Sequence, residues 1–122
     1  MTLDTRGADT TRLRLTPDAD ALAEARRFVR LCAERCGIDG DRADDVVQAA
    51  AELLAAGGRA HRPAAVEVRE GADGIGIVVD LEVPGVLDVR EGTAALLSEL
   101  SLEWGWRRQP DHIQVWCEVA RG

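Results

Sequence analysis

Between residues 75 and 83 the chain reads IGIVVDLEV, with Ile75, Ile77, Val79, Leu81 and Val83 on every second position. Successive side chains of a strand point to opposite faces. Five large apolar residues at a period of two can therefore share one buried face only if the segment is a β-strand against an apolar layer. Other runs carry the same signal. Val66 and Val68 alternate with Glu67 and Arg69, Leu13 and Leu15 with Arg12 and Arg14, and Ile113, Val115, Cys117 and Val119 alternate toward the C-terminus. Ala72, Asp73 and Gly74 separate two of these runs, and Asp-Gly is a hairpin signal. Trp104 to Arg108 reads as a short strand, followed by a turn at Gln109, Pro110 and Asp111.

Between the strands the period lengthens. Thr16, Pro17 and Asp18 read as a helix start: a capping hydroxyl, a proline in the first turn and an acid near the positive end of the dipole. Leu22, Ala25, Val29, Cys32 and Cys36 then form one apolar stripe, and Gly37 is a natural stop. After IDGD, with Asp41 able to cap, a second helix turns Val46, Val47, Ala50, Leu53 and Leu54 inward. Its Asp45, Gln48 and Glu52 lie on another face, and Gly57 and Gly58 end it. Pro84 and Gly85 break the long strand, and residues 92–103 return to helical spacing with Leu96, Leu97 and Leu100 facing in. The order strand, helix, helix, strand, strand, helix, strand, strand predicts an α+β two-layer sandwich. Its antiparallel or mixed sheet is covered by helices on one face. Residues 1–9 are read as a flexible N-terminus and residues 10–120 as a single domain.

Composition narrows the function classes. A chain of 122 residues is one domain, large enough to hold a core without disulfides or metal. Net charge is −7, every cation is Arg, and no basic run exceeds two residues. Nucleic-acid binding needs clustered cations to release counterions, so an acidic chain of this kind is expected to meet a protein instead. No apolar run approaches the ~20 residues of a membrane span. An odd count of three cysteines and no signal peptide argue against a disulfide framework, and a cytoplasmic location is expected. The codon bias implied by Ala, Arg, Gly and Asp suggests a bacterial source of high GC content.

Several residues have two readings. Cys32, Cys36 and Cys117 could hold a metal between them, or serve as small core residues on the apolar stripes where they fall, and the second is favoured. Gly71, Gly74 and Gly76 resemble a phosphate loop, but they precede a strand rather than open a helix, so a hairpin is the better reading. His61 follows the second helix and is read as a surface or helix-end histidine. Trp104 and Trp106 share a face of their short strand, and Trp116 lies opposite the apolar face of the last strand. Gathered on the uncovered side of the sheet, the three rings would form an exposed patch for a protein partner.

The element order, the stretch WGWRRQPDHIQVWCEV and the helix carrying AEARRFVR after a proline resemble the GHKL (histidine kinase-like) ATPase fold. The resemblance is to the short form found in bacterial anti-sigma factor serine kinases, and it covers about residues 10–120. It implies a second-helix Glu acting as base, an Asn four residues on that holds Mg²⁺, a strand-end Asp that binds adenine, and a Gly-rich turn that receives phosphate. Glu52 matches the acid, but the Asn position is Ala56, and the chain contains no Asn. Asp80 matches the adenine residue, yet Leu81, Glu82 and Val83 follow it where the family turns at glycine, and Gly85 comes later. Of the phosphate turn only Gly92 remains, beside Glu91.

Mg²⁺ requires oxygen ligands, and phosphoryl transfer requires the charge of the phosphates to be offset. The expectation is therefore a pseudoenzyme with a vestigial ATP cleft at Glu52, Ala56, Asp80, Gly85 and Gly92, and no cofactor or metal. It would be a non-catalytic module of transcription regulation that binds a protein partner. By resemblance that partner is a sigma factor or antagonist, and homodimers form through the sheet and first helix. The alternative is an active anti-sigma serine/threonine kinase, with Mg-ATP held by Glu52 and Asp80.

Overall fold

The computed structural model describes residues 10–58, 61–82 and 87–121. The elements run β1 (Thr10–Arg14), α1 (Ala21–Arg35), α2 (Gly40–Ala55), β2 (Pro63–Glu70), β3 (Gly74–Glu82), α3 (Glu91–Leu100), β4 (Glu103–Arg108) and β5 (His112–Ala120). The strands form one sheet in the order β1-β2-β3-β5-β4, and every neighbouring pair is antiparallel. The fold is α+β, with a five-stranded antiparallel sheet, three helices and one core between them. The expectations for the N-terminal segment 1–9 and for Val83, Pro84 and Gly85 lie outside the described residues.

The period-two pattern decides which face the helices cover. Ile75, Ile77, Val79 and Leu81 of β3, Val66 and Val68 of β2, and Ile113, Val115, Cys117 and Val119 of β5 are all buried. They form one cluster with Ala25, Val29 and Cys32 of α1, Val46, Ala50 and Leu53 of α2, and Leu97 of α3. Side chains of this size contribute about 1.5–3 kcal/mol each on full burial, so β3, central in the sheet, anchors the domain. Residues of opposite parity on the same strands face away from the helices. The β2–β3 hairpin closes with Gly71 N–H donating to the Gly74 carbonyl at 2.9 Å. Gly74 must lack a side chain, since a Cβ there would sit 2.6 Å from the Val119 carbonyl oxygen.

The helix ends depart from the sequence reading in three places. Thr16, Pro17 and Asp18 do not begin α1. Thr16 Oγ1 donates to Asp18 Oδ2 at 2.6 Å, and Asp18 Oδ1 accepts from Asp20 N–H at 2.9 Å. These side-chain bonds fold a separate turn before the helix. The stripe of α1 is shifted to Ala21, Ala25, Val29, Cys32 and Ala33, leaving Leu22 outside it. Asp41 is not the cap of α2 but lies in its first turn, where its charge still suits the dipole, and Asp39 occupies the cap position. Similarly, α3 ends at Leu100, with Leu97 buried and Leu96 exposed.

Gly37 does stop α1 as expected. Its φ is +83°, Ile38 N–H reaches the Ala33 carbonyl at 2.9 Å, and Gly37 N–H reaches Glu34 at 3.0 Å. This is the Schellman pairing, and Ile38 is buried beneath it.

Candidate functional site

The helix-free face of the sheet is a lattice of side chains read directly from the strand register. Across β1, β2, β3, β5 and β4, one row runs Thr10, Arg69, Gly76, Glu118, Glu103. The next runs Arg12, Glu67, Val78, Trp116, Gly105, and the third Arg14, Ala65, Asp80, Gln114, Arg107. Directly opposed residues in an antiparallel sheet share a face, so these rows are one surface.

Asp80 is the most constrained group on it. It is buried, and Arg12 Nη2 donates to its Oδ2 at 2.6 Å. Gln114 Nε2 donates to Oδ1 at 3.4 Å, and His112 Nε2 lies 3.8 Å from the same oxygen. Arg12 reaches Asp80 diagonally, past Ala65, whose methyl leaves room for it. The hydrogen bond to Asp80 raises the guanidinium above its ordinary pKa. Arg12 Nη1 also lies 3.5 Å from Glu67, which binds Arg69 on its other side. The result is an ion-pair ladder, Arg69–Glu67–Arg12–Asp80, running across three strands.

Beside the ladder is a concavity of about 300 Å³. Arg69, Val78, Gln114, Trp116 and Glu118 line it, with Arg107 beyond, and Gly76 leaves its floor low. Trp116 does not stand upright from the sheet. A Cβ added at Gly105 would be 2.9 Å from Trp116 Cζ2, so the indole lies across the bare backbone of the edge strand. An aromatic plate, two guanidiniums, an amide and a carboxylate around one hollow can recognise a mixed polar and aromatic protein surface.

The residues expected of a nucleotide cleft do not come together. Asp80 alternates with Val79 and Leu81, which are in the helix-side core, so its carboxylate projects from the opposite face. Glu52 belongs to α2, where Gln48 Nε2 donates to its Oε2 at 3.1 Å. Ala56 is 4% exposed and part of the core cluster. Gly92 is exposed at the start of α3 beside Glu91, and Gly85 lies outside the described residues. A Mg-nucleotide does not fit this set. Position 56 offers a methyl packed among apolar groups, and Asp80, which the resemblance assigns to adenine, lies on the opposite face bound to Arg12.

The small residues after Glu52 have a packing role. Ala56 fills the core. Gly57 faces His61, where a Cβ would lie 2.5 Å from His61 Cβ, and Gly58 has φ +59°. His61 is buried, contrary to the surface reading, with Nδ1 2.8 Å from the Glu82 carbonyl oxygen.

The expected tryptophan patch is also divided. Trp104 opposes Cys117 and Trp106 opposes Val115, both core-face residues, so these two rings lie on the helix side. Trp104 packs against the core and donates from Nε1 to Ser98 Oγ at 3.0 Å. Trp106 is 44% exposed. Trp116 opposes Gly105 and lies on the other face. The parity signal was present in the sequence, but it resolves only once the β4–β5 register is known.

The cysteines separate in the same way. Cys32 and Cys117 are buried, and burial pushes the Cys117 thiol up to about 12. Burial, followed by a hydrogen bond from its Sγ to Glu70, pushes Cys36 up to about 11. Among the described residues, no group of three His, Cys, Asp or Glu side chains is arranged to hold a metal ion. No described helix is long and apolar enough to cross a membrane. Sequence reasoning missed Arg12, Arg69, Gln114 and Glu118. Their only signal was their place opposite the apolar positions of β1, β2 and β5. No protein-family model matches the chain, and no curated protein matches it.

Proposed function

We propose that the chain is a non-catalytic regulatory module that binds another protein, built on a scaffold resembling the bacterial anti-sigma factor serine kinases with a degenerate ATP site. The observation that carries this reading is the orientation of Asp80. The residue matching the family's adenine ligand is on the helix-free face in an ion pair with Arg12, while Glu52 and Ala56 belong to the helix layer. A protein-binding role is further supported by the hollow framed by Arg69, Gln114, Trp116 and Glu118. Its mixed charge and single large ring suit a folded partner better than a polyanion, because each row of the face carries both guanidinium and carboxylate groups. On this reading, the partner is a regulator of transcription of the sigma-factor or antagonist class, and the location is cytoplasmic.

The experiment is affinity capture from a bacterial lysate with the native chain and with two open-face variants, Trp116→Ala and Arg69→Glu, followed by incubation of the captured material with labelled ATP. The reading expects a regulator recovered by the native chain, lost or much reduced with either variant, and not labelled. Recovery indifferent to both variants would move the binding surface elsewhere. Transfer of label to the captured protein, dependent on Asp80, would establish the kinase alternative instead.

A further inference from the structure

Strand β4 is terminal in the sheet, with β5 on one side only. Edge strands in soluble proteins are commonly protected by a bulge, a proline or inward charge. Strand β4 carries such protection only at its ends: Leu102 N–H joins the Glu118 carbonyl at 2.7 Å, a bulge-like bond just before Glu103, and the charged residues are Glu103, Arg107 and Arg108. Its register with β5 is unbroken from Glu103 to Arg108, no proline interrupts it, and two of its six residues are tryptophan. Leu102, just before it, is 62% exposed, and Trp106 is 44% exposed.

The backbone direction of the free edge can be worked out. Gln109 N–H donates to the His112 carbonyl at 2.8 Å, closing the hairpin. In an antiparallel pair the bonded residues alternate, so Glu103, Gly105 and Arg107 turn their backbone groups to β5, and Trp104 and Trp106 turn theirs outward.

The sequence along this edge is Glu103-Trp104-Gly105-Trp106-Arg107, and it is self-complementary about Gly105. We propose that β4 pairs antiparallel with β4 of a second copy about a two-fold axis through Gly105, joining the two sheets into one. Two chains related by an axis normal to the sheet keep their faces aligned, so residue 104 meets 106, 103 meets 107, and 105 meets itself. Trp104 and Trp106, whose amides and carbonyls point outward, become the hydrogen-bonded pairs. Their rings meet on the helix side as two aromatic cross-strand pairs. Glu103 and Arg107 occupy the closer, non-hydrogen-bonded positions on the helix-free face and form an ion pair twice per dimer. Centring the pairing on Trp104 or Trp106 instead would also preserve the faces, but neither register sets Glu103 against Arg107.

Charge on the chain itself points the same way. Glu103 stands directly opposite Glu118 of β5, a like-charge pair. Among the described residues, no cation is within ion-pair distance of Glu103. Arg107 bonds only a neutral amide there, Nε to Gln114 Oε1 at 3.3 Å. A second copy brings each its missing counter-charge. This pairing is independent of the functional reading above.

Sedimentation and light scattering of the full chain across a dilution series test the proposal, with E103R and R107E studied separately, as an equimolar mixture and as the double variant. The native chain is expected to be a dimer. Each single variant sets like charges together at both ends of the pairing and should weaken association about tenfold or more. The mixture and the double variant, which restore opposite charges, should regain it. Rescue on mixing separates a lost interface from a lost fold, because a misfolded chain would gain nothing from its counterpart. A monomeric native chain, a dimer indifferent to both reversals, or single variants that fail to recover when mixed would each overturn the proposal.

Discussion

The ion pair between Arg12 and Asp80 should be asymmetric in its response to truncation. The Asp80 side chain is 10% exposed and that of Arg12 is 49% exposed. Removing the guanidinium strands a nearly buried carboxylate, whereas removing the carboxylate leaves a half-solvated cation with Glu67 still 3.5 Å away. Breaking a fully buried pair costs about 3–5 kcal/mol, and the exposure of Arg12 together with the Gln114 amide discounts that figure. Arg12→Ala is therefore expected to cost about 2 kcal/mol and Asp80→Ala about 1 kcal/mol. The double variant should be no worse than Arg12→Ala alone, which gives a coupling of about 1 kcal/mol. Urea unfolding followed by circular dichroism measures all four proteins. A drop of about 2 kcal/mol corresponds to roughly 8 °C in melting temperature for a domain of this size, so a thermal scan gives an independent check. Additive single losses, or a larger loss for Asp80→Ala than for Arg12→Ala, would refute the argument that a buried carboxylate on the helix-free face depends on this arginine.

Three further outcomes follow from the packing around α2 and β5. Gly57→Ala drives a methyl to 2.5 Å from His61 Cβ and 2.8 Å from its carbonyl oxygen, and should destabilise by about 2 kcal/mol in urea unfolding. Placing at position 56 the residue that the resemblance implies, by Ala56→Asn, buries an amide among apolar side chains. It should cost about 2–3 kcal/mol and confer no affinity for Mg-ATP in calorimetry. The Cys117 thiol, raised to about 12 by burial, is neutral in the folded chain where the unfolded thiol ionises near its usual value. Its contribution is intact below about pH 9 and declines as pH rises toward 12. A rise of that size amounts to about 4 kcal/mol at the alkaline limit. A pH series of unfolding free energies should therefore fall more steeply above pH 9 for the native chain than for Cys117→Val.

Most of the fold could be read from the sequence because period two and period 3.6 are different signals. Ile75, Ile77, Val79 and Leu81 identified the central strand, Asp73-Gly74 its hairpin, and Gly37 the end of α1. The errors fell where a local bond competes with the helix. Thr16, Pro17 and Asp18 carry every mark of a helix start, yet their side chains bond one another and the helix waits until Ala21. The site was harder to read, since composition and spacing do not say which element lies beside which. Asp80 was legible as a polar residue amid an apolar run, but its partner Arg12 is 68 positions away, and only the β1-β2-β3 register brings them together. The three tryptophans, all within residues 104–116, divide between two faces for the same reason. Ala56, read as the gap left by a missing ligand, and Gly57, read as a helix end, also have a plain steric role against the core and His61.

Glu52 and Asp80, the acids that match a nucleotide site by resemblance, lie on opposite sides of the sheet. Thermal unfolding of the native chain and of Asp80→Ala across a Mg-ATP titration tests the consequence of this separation most directly. A site holding nucleotide at 100 times its dissociation constant would add about 2.7 kcal/mol. No ligand-dependent rise in melting temperature is expected for either protein. A saturable rise in the native chain that disappears with Asp80→Ala would contradict this expectation.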